Sequence, residues 1–308
     1  MSTSDPAPAI PDISVVIAVY NDWKPLDQCL RSLAQQTYAP AFEVIVVDDG
    51  STNTTPANIV ELARTLPLTV ARQPHAGVSA ARNHGVSISR GALIVFADAD
   101  SKLEPDCLSS LAATVASSPQ HNSFQLHLLG DESSSVGRAE ELRLTTIQNH
   151  MLQPNGCIRY LNTAGFAIRR SSIDPSVDLF DTVALRAEDT LLLVNLMQRG
   201  EMPLFVPAAK VHHAVPLTLL QYLRKSVRSA YIERGTYRII AAKGVRIRVT
   251  NRERLNMLSA MWKTAKNPAI GRGAWFVLVV RQAIPRIVSF VCRITEFGSP
   301  APTAKPSN

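Results

Sequence analysis

The chain has 308 residues, of which 46% are hydrophobic and 19% charged, with a formal net charge of +7. This composition excludes a wholly disordered protein and allows one large domain with an extension, or two small domains. The cysteines show no Cys-x-x-Cys spacing, which argues against a zinc site or disulfide framework and favours reduced thiols in a cytosolic protein: Cys29, Cys107, Cys157 and Cys292.

The charge is unevenly distributed along the chain. Residues 1–209 carry 14 Lys and Arg against 22 acidic residues, whereas residues 210–308 carry 18 against three. An acidic body is therefore followed by a basic C-terminal third, which indicates an anionic partner such as phospholipid headgroups, nucleic acid or a charged substrate.

Short apolar runs alternate with amphipathic segments in the first third of the chain. The runs predict buried strands at residues 13–19, 42–47, 68–71 and 93–97. Apolar residues at helical spacing predict helices around residues 26–33, from residue 56 onward and after Gly77. This order predicts an α/β fold with a doubly wound, mostly parallel sheet, whose ligands bind beyond the carboxyl ends of the strands.

The pattern is weaker after residue 130. It predicts a loop at 133–135, a helix at 139–151, a strand at 161–168 and a helix at 188–198. Beyond Pro216 the chain reads as helical to about residue 295, with breaks near Gly244 and Pro268. We therefore predict a disordered tail at 1–12, a catalytic domain at 13–215, a basic helical region at 216–297 and a disordered tail at 298–308.

Polar clusters follow three of the predicted strands, at the edge where such a sheet binds its ligand. The first two clusters are Tyr20-Asn21 and Asp48-Asp49. The third, Asp98-Ala99-Asp100, offers two carboxylates that can share Mg²⁺ or Mn²⁺ if they lie in a turn. The alternative is a solvated turn in which Asp98 caps a helix. The position directly after an apolar strand favours the metal site.

Two further segments carry groups of the kind that bind phosphate or move protons. Small residues around Arg82 allow close approach of the backbone, and its guanidinium is a fixed cation for a diphosphate or base. Glu188-Asp189 opens an amphipathic helix, where acidic residues either complement the helix dipole or supply a general base. The alternative for Arg82 is a surface position on a helix packed against the sheet.

Taken in chain order, these segments resemble the inverting glycosyltransferases of family 2, whose nucleotide-sugar-binding fold is called GT-A. The resemblance covers residues 13 to about 213. The matching positions are residues 18–21, 48–51, 77–85 with Ala81-Arg82-Asn83, and 98–100, then Gly165, Arg169-Arg170, Phe180-Asp181 and Glu188-Asp189 followed by Leu192. It implies metal-assisted transfer of a sugar, most often from a UDP-sugar, to an acceptor hydroxyl of a saccharide, a lipid-linked glycan or a small molecule.

The resemblance also implies roles for single residues. The donor would be bound by a set of residues at the strand ends and on the following helix: Val19, Tyr20, Asn21, Asp48, Asp49, Arg82 and Asp98. Asp100 would hold the Mg²⁺ or Mn²⁺, and His212, or its neighbour His213, would be a further metal or diphosphate ligand. Asp189 would be the catalytic base, with Glu188 positioning it or the acceptor.

The sequence departs from the processive members of the family, which carry a Gln-x-x-Arg-Trp signature. Here Gln221-Tyr222-Leu223-Arg224 is followed by Lys225, which implies single or limited sugar addition. Three other classes are alternatives to this family. A sugar nucleotidyltransferase could share the fold, but the chain has no Gly-rich start with Lys or Arg to grip a triphosphate. A dehydrogenase would need Gly-x-Gly-x-x-Gly after its first strand, where this chain has Ala18-Val19-Tyr20-Asn21. A nucleic-acid-binding protein would explain the basic third but leaves the carboxylates at the strand ends unexplained.

Residues 273–294 form an apolar segment long enough to cross a bilayer. Arg281 and Arg286 near its middle would be costly in hydrocarbon, and Pro285 would break or kink a helix there. We therefore expect a helix that lies on an anionic membrane surface, with its arginines among the headgroups, on the inner face of the membrane. The alternative is a helix packed on the catalytic domain or at a homodimer contact.

Overall fold

The computed structural model describes residues 12–38, 41–131, 134–213, 218–244, 251–265 and 271–297. Within these ranges eight strands form one sheet: β1 Ile13–Val19, β2 Phe42–Asp48, β3 Leu68–Arg72, β4 Leu93–Asp98, β5 Ser101–Leu103, β6 Ser123–Gly130, β7 Phe166–Arg169 and β8 Leu204–His213. The α-helices of the same ranges are α1 Trp23–Ala34, α2 Ala57–Leu62, α3 Val78–Ile88, α4 Cys107–Ser117, α5 Ser135–Met151, α6 Glu188–Gln198, α7 Leu219–Ala242, α8 Asn251–Ala265 and α9 Gly271–Phe297. Both predicted disordered tails fall outside the described residues, apart from Asp12.

The strands lie in the order β3-β2-β1-β4-β7-β6-β8-β5. Six of them run in one direction, while β7 is antiparallel to both β4 and β6, and β5 is antiparallel to β8. The prediction of a mostly parallel α/β sheet is therefore confirmed. The antiparallel β7 separates the parallel strands β1 to β4 from the half of the sheet that carries β6 and β8.

Helices cover both faces of the central strands, because alternate residues of a strand point to opposite sides. Val15 and Ile17 of β1 pack in one core layer with α1, represented by Leu30. Val16, which lies between them, packs in a second layer with Phe96 and with residues of α6. Burial on both faces explains why β1 is apolar without alternation.

The strand predicted at residues 161–168 is only partly present. The Asn162 side chain accepts a hydrogen bond from the Ala164 N–H at 2.9 Å, and residues 163–165 form one turn of 3₁₀ helix. Strand β7 begins only at Phe166. Asn162 is a helix-capping residue type, and such a side chain offers the backbone an alternative to the sheet.

The three C-terminal helices pack against α5, so the basic third is joined to the sheet domain by an apolar interface. Met257 and Met261 of α8 and Val277 and Leu278 of α9 lie in this interface with residues of α5. The predicted break near Gly244 is confirmed by the end of α7 at Ala242, whereas Pro268 lies outside the described residues.

Helix α9 corrects two expectations. It continues through Pro285, where the sequence predicts a break or kink, and Ile284 before the proline and Cys292 after it are buried. Arg281, which the sequence places among lipid headgroups, is half-buried and paired within the protein: it donates to Glu140 Oε2 at 2.8 Å and lies 5.3 Å from the centre of the Tyr222 ring. Among the described residues, Gly273–Cys292 is the one stretch long and apolar enough to cross a membrane, by length and composition only.

Candidate active site

A cleft of about 1710 Å³ opens at the carboxyl ends of β1, β2 and β4. Its floor is the sheet edge, and its walls come from the start of α3, the start of α6 and one side each of α7 and α9. This is the position at which open α/β sheets bind ligands. The volume exceeds that of an ordinary drug-sized pocket, so the cleft has room for more than one small molecule.

One end of the cleft offers a flat aromatic surface. The exposed ring of Tyr20 stacks on His75, with the ring centres 4.3 Å apart. The loop that carries His75 is held by Asp49, whose carboxylate accepts from the backbone N–H groups of Ala76 and Gly77, each at 2.9 Å. Asp49 thus positions this loop and also lines the cleft.

Two predicted donor-binding residues do not reach the cleft. Asp48 is buried and accepts from the Ser51 N–H at 2.8 Å, and its other oxygen lies 3.1 Å from Arg72. The Asn21 side chain accepts from the Thr52 N–H at 2.9 Å, and its own backbone has a φ of 61°. Their residue types suit tight turns, and both side chains hold the turn after β2 in this structure, so their contact with a donor stays a prediction.

Arg82 is a buried connection between three elements. Its guanidinium donates to Asp98 at the end of β4 over 2.8 Å and to Glu188 at the start of α6 over 2.7 Å, and it lies over the Phe180 ring. Burial lowers the pKa of Arg82, but the two carboxylates outweigh that effect and raise it. Arg82 therefore fixes the positions of both acidic groups relative to the sheet.

Asp98, Asp100 and His213 form a cluster whose ligand atoms all lie within 4.8 Å of one another. His213 Nε2 is 3.4 Å from Asp100 Oδ1. The predicted ligand His212 points elsewhere and lies 3.1 Å from Glu104 Oε1. Neighbouring residues of a strand face opposite sides, so β8 can direct only one of the two histidines to the cluster, and that one is His213.

The chemistry of the cluster suits a divalent cation. Two carboxylates and an imidazole are ligands that Mn²⁺ and Mg²⁺ accept. Burial raises the pKa of Asp100, while His213 and Lys225 lower it and Asp98 raises it further. Four carboxyl groups line this part of the cleft against the positive charges of Arg82 and Lys225, and a cation would offset the excess of negative charge: Asp98, Asp100, Glu188 and Asp189.

Asp189 is the second residue of α6. The helix begins at Glu188, directly after Ala187, which has a left-handed φ of 58°. Its Oδ1 accepts from the Thr190 N–H at 2.6 Å. Burial and the neighbouring Glu188 raise the pKa of Asp189 to about 7, although Thr190 and Arg82 oppose the shift. A carboxyl group with this pKa can accept a proton at neutral pH and is a candidate general base.

Several cleft residues were missed by the sequence analysis. Arg143 and Arg281 both donate to Glu140, which is buried where α5 meets α7 and α9. Burial raises the pKa of Glu140, but the two guanidiniums outweigh it and hold the pKa well below its usual range. No local motif indicates this group, because Arg281 lies 141 residues from Glu140 in the chain, although Arg143 is only three residues from it.

Comparison with known proteins relates the chain to sugar-transferring enzymes. Residues 14–174 match the family model described as Glycosyl transferase family 2. An N-acetylglucosaminyltransferase of Azorhizobium caulinodans is 25% identical over 257 residues, covering 76% of this chain and 62% of that protein. The uncharacterized glycosyltransferase YibD of Escherichia coli is 35% identical over 104 residues, covering 32% of this chain and 29% of that protein. The chain thus spans less than two thirds of the length of these relatives.

Solved structures show the same fold at low sequence identity. A mannosyltransferase from Pyrobaculum calidifontis, PcManGT, superposes with a TM-score of 0.62 at 17% identity, covering 94% of this chain and 88% of that one. TarS from S. aureus, residues 1–349, superposes with a TM-score of 0.55 at 17% identity, covering 94% and 92%. The GT-A architecture predicted from the sequence is confirmed by these likenesses.

Proposed function

Because this chain belongs to glycosyltransferase family 2, we propose that it transfers a sugar from a nucleotide-sugar donor to an acceptor hydroxyl, with inversion at the anomeric carbon. One observation carries the proposal. A cation-binding set, Asp98, Asp100 and His213, shares a cleft with Asp189, a carboxyl whose pKa is raised to about 7. A cation site and a base in one cleft are the two parts that such a transfer requires.

The donor would bind with its base against Tyr20 and His75 and its diphosphate toward Asp98, Asp100 and His213. The stacked pair supplies an aromatic surface, and Val19 lies beside it in the cleft wall. Support comes from two fold neighbours: TarS was solved with UDP-GlcNAc, and PcManGT with GDP-Man and Mn²⁺. We favour a UDP-sugar as donor.

The chain's own residues would hold the leaving group in place. A divalent cation, Mn²⁺ or Mg²⁺, would offset the negative charge that develops on the diphosphate. Asp98, Asp100 and His213 would hold it, and Arg82 keeps Asp98 in position through its 2.8 Å hydrogen bond. Lys225 lies close enough to lower the pKa of Asp100 and adds a positive charge on the same side.

Asp189 would take the proton from the acceptor hydroxyl as the oxygen attacks the anomeric carbon from the face opposite the diphosphate. A single displacement of this kind inverts the configuration and needs no covalent sugar–enzyme intermediate. Glu188 is held by Arg82 and, through repulsion, keeps the pKa of Asp189 high. The acceptor would be a saccharide, a lipid-linked glycan or a small molecule, and one or a few sugars would be added.

The test is a panel of UDP-, GDP- and TDP-sugars, assayed for release of the nucleoside diphosphate with Mn²⁺ or Mg²⁺ and with excess chelator. We expect at least one donor to be hydrolysed slowly in the presence of metal and not with chelator. Asp100→Ala removes a carboxylate of the cation site and should abolish this metal-dependent release. Its matched control is Asp174→Ala, which removes an exposed carboxylate outside the cleft and should leave the release unchanged. No turnover or stabilisation by any donor would contradict the proposal.

A further inference from the structure

One side of α7 exposes apolar and basic side chains in alternation. Leu220, Val227 and Tyr231 are exposed, and Arg224 and Arg228 lie among them at the surface. Spacings of three, four and seven residues place all five on one face of the helix. The residues of α7 that line the cleft, such as Lys225 and Ser229, fall on other positions of the helix.

Helix α9 has a similar exposed face. Phe276, Ile287 and Phe290 follow one another by 11 and three residues, which places them on one side of the helix, and Phe290 is 64% exposed. The opposite side is buried, with Val277 and Leu278 packed in the interface with α5. Because α9 is fixed to the domain on that side, its apolar length does not require a membrane crossing.

The charge around these faces selects the partner. Among the described residues, Arg224, Arg228 and Arg286 are exposed and have no ion pair with an acidic side chain. The chain from residue 210 onward has only three acidic residues against 18 basic ones. A partner of opposite charge that also accepts Phe and Ile side chains is an anionic lipid surface, whereas a nucleic acid backbone offers nothing apolar.

Helices α7 and α9 pack against each other. We propose that the exposed faces of these two helices dock the protein on an anionic bilayer. Phe276, Ile287 and Phe290 enter the headgroup region, and Arg224 and Arg228 contact lipid phosphates. Arg281 takes no part, because its guanidinium is paired with Glu140 of α5.

The docked face adjoins the cleft. Arg286 and Phe290 of α9 also line the cleft wall, so its mouth lies beside the bilayer when α9 is docked. An acceptor carried on a membrane lipid would then reach Asp189 without leaving the surface. This consequence rests on the proposed function, but the docking does not, since it is measured without donor, acceptor or metal.

The experiment is co-sedimentation of the full chain with vesicles of phosphatidylglycerol and phosphatidylcholine, compared with phosphatidylcholine alone, at low and high salt. We expect binding to the anionic vesicles that weakens with salt. The double variant Arg224→Gln/Arg228→Gln should bind about thirty-fold more weakly, from the attraction of two arginines to an anionic surface. Phe276→Ser/Ile287→Ser should weaken binding to the anionic vesicles at both salt concentrations, because burial of these two apolar side chains in the bilayer surface does not depend on salt.

The matched control is Val60→Ser/Arg64→Gln, which removes an exposed apolar and an exposed basic side chain at α2. It should bind anionic vesicles as the unchanged chain does. Equal thermal unfolding of all variants would show that the exposed substitutions leave the fold intact. The proposal is overturned if the unchanged chain does not bind, if the α2 control loses as much as the α7 variant, or if a dimer forms that excludes the vesicles.

Discussion

Asp189 is the residue on which the proposed chemistry depends most. Replacing it with Asn keeps its size but removes the proton acceptor, so transfer should fall by about a hundred-fold or more. Donor affinity should change little, because the Asp189 carboxylate accepts its hydrogen bonds from Thr190 in the same helical turn and not from Tyr20, His75 or the cation cluster. Steady-state kinetics with donor titration measures both quantities. Retained turnover with weakened donor binding would show that Asp189 belongs to the donor site.

The raised pKa of Asp189 predicts the pH dependence of the rate. The base must be ionised, so turnover should rise as pH increases through about 7 and level off above it. The measurement is a pH–rate profile at saturating donor, metal and acceptor. Glu188→Gln removes the neighbouring negative charge that raises this pKa, so its profile should shift to lower pH. An unchanged profile would remove Glu188 from this role.

The same pKa predicts an effect on stability. A carboxyl whose folded pKa exceeds its unfolded value of about 3.9 stabilises the fold when protonated, and this contribution is lost as pH rises through about 7. Asp189→Asn should therefore be more stable than the unchanged chain at pH 8, by on the order of 2–4 kcal/mol, and equally stable near pH 4. Urea unfolding at the two pH values measures the difference. A variant that is less stable at pH 8 would contradict the prediction.

Single residues also show how far the sequence could be interpreted. Asp98-Ala99-Asp100 could be assigned because it directly follows a strongly apolar strand, whose end fixes where the side chains lie. The choice between His212 and His213 could not be made, because it depends on the register of β8, which the sequence did not reveal. Asp48 could not be separated from Asp49, since only the folded turn shows which carboxylate lines the cleft.

At the scale of single elements, the turn after β2 depends on Gly50. Its φ is 76°, and a Cβ there would lie 2.7 Å from the His75 backbone nitrogen. Gly50→Ala should therefore displace the loop that holds His75 and weaken donor binding by ten-fold or more. Gly200→Ala is the matched control, because Gly200 has a φ of 77° but nothing within 4 Å of its Cβ position.

Both glycine variants should lose about 1 kcal/mol of stability from the left-handed backbone, but only Gly50→Ala should lose a further 1–3 kcal/mol from the close contact. Thermal unfolding and donor titration separate the two contributions. Equal losses of stability and unchanged donor affinity in both variants would mean that the turn after β2 does not control the His75 loop.

The elements differ in how readily the sequence revealed them. Strands β1, β2 and β4 were predictable because burial on both faces makes them continuous apolar runs. Strands β6 and β8 were missed by the sequence analysis. In β6 the polar residues Gln125 and His127 interrupt the apolar run. The pairing of β6 with β8 also shifts register at a bulge between Leu126 and His127. Polar residues in a strand are acceptable where the fold supplies partners: the Gln125 side chain donates to Gly165 at 2.8 Å.

At the scale of the whole molecule, Glu140 connects the C-terminal helices to the sheet domain. Its carboxylate accepts from Arg143 and Arg281 and lies 3.3 Å from the Tyr222 hydroxyl. Glu140→Gln would leave two guanidiniums without their counter-ion, at a cost of about 3–5 kcal/mol. Asp27→Asn, which breaks the surface pair with Arg31, should cost about 0.5 kcal/mol and is the control.

The pH dependence of this loss has a defined sign. Glu140 has a folded pKa below its unfolded value, so its contribution is present above about pH 4.3 and is lost as pH falls further. The difference between the unchanged chain and Glu140→Gln should therefore be largest above pH 5 and shrink below pH 4. Urea unfolding across that range measures it, and a difference that grows on acidification would contradict the assignment.

The most direct test of the account is calorimetric titration of UDP into the protein with Mn²⁺ and with excess chelator. The unchanged chain should bind UDP at least ten-fold more tightly with Mn²⁺, and Asp100→Ala should lose that gain while staying folded. The control Asp106→Ala, which removes an exposed carboxylate six residues away, should keep it. UDP affinity that is the same with Mn²⁺ and with chelator, or a gain that survives in Asp100→Ala, would contradict the proposed cation site.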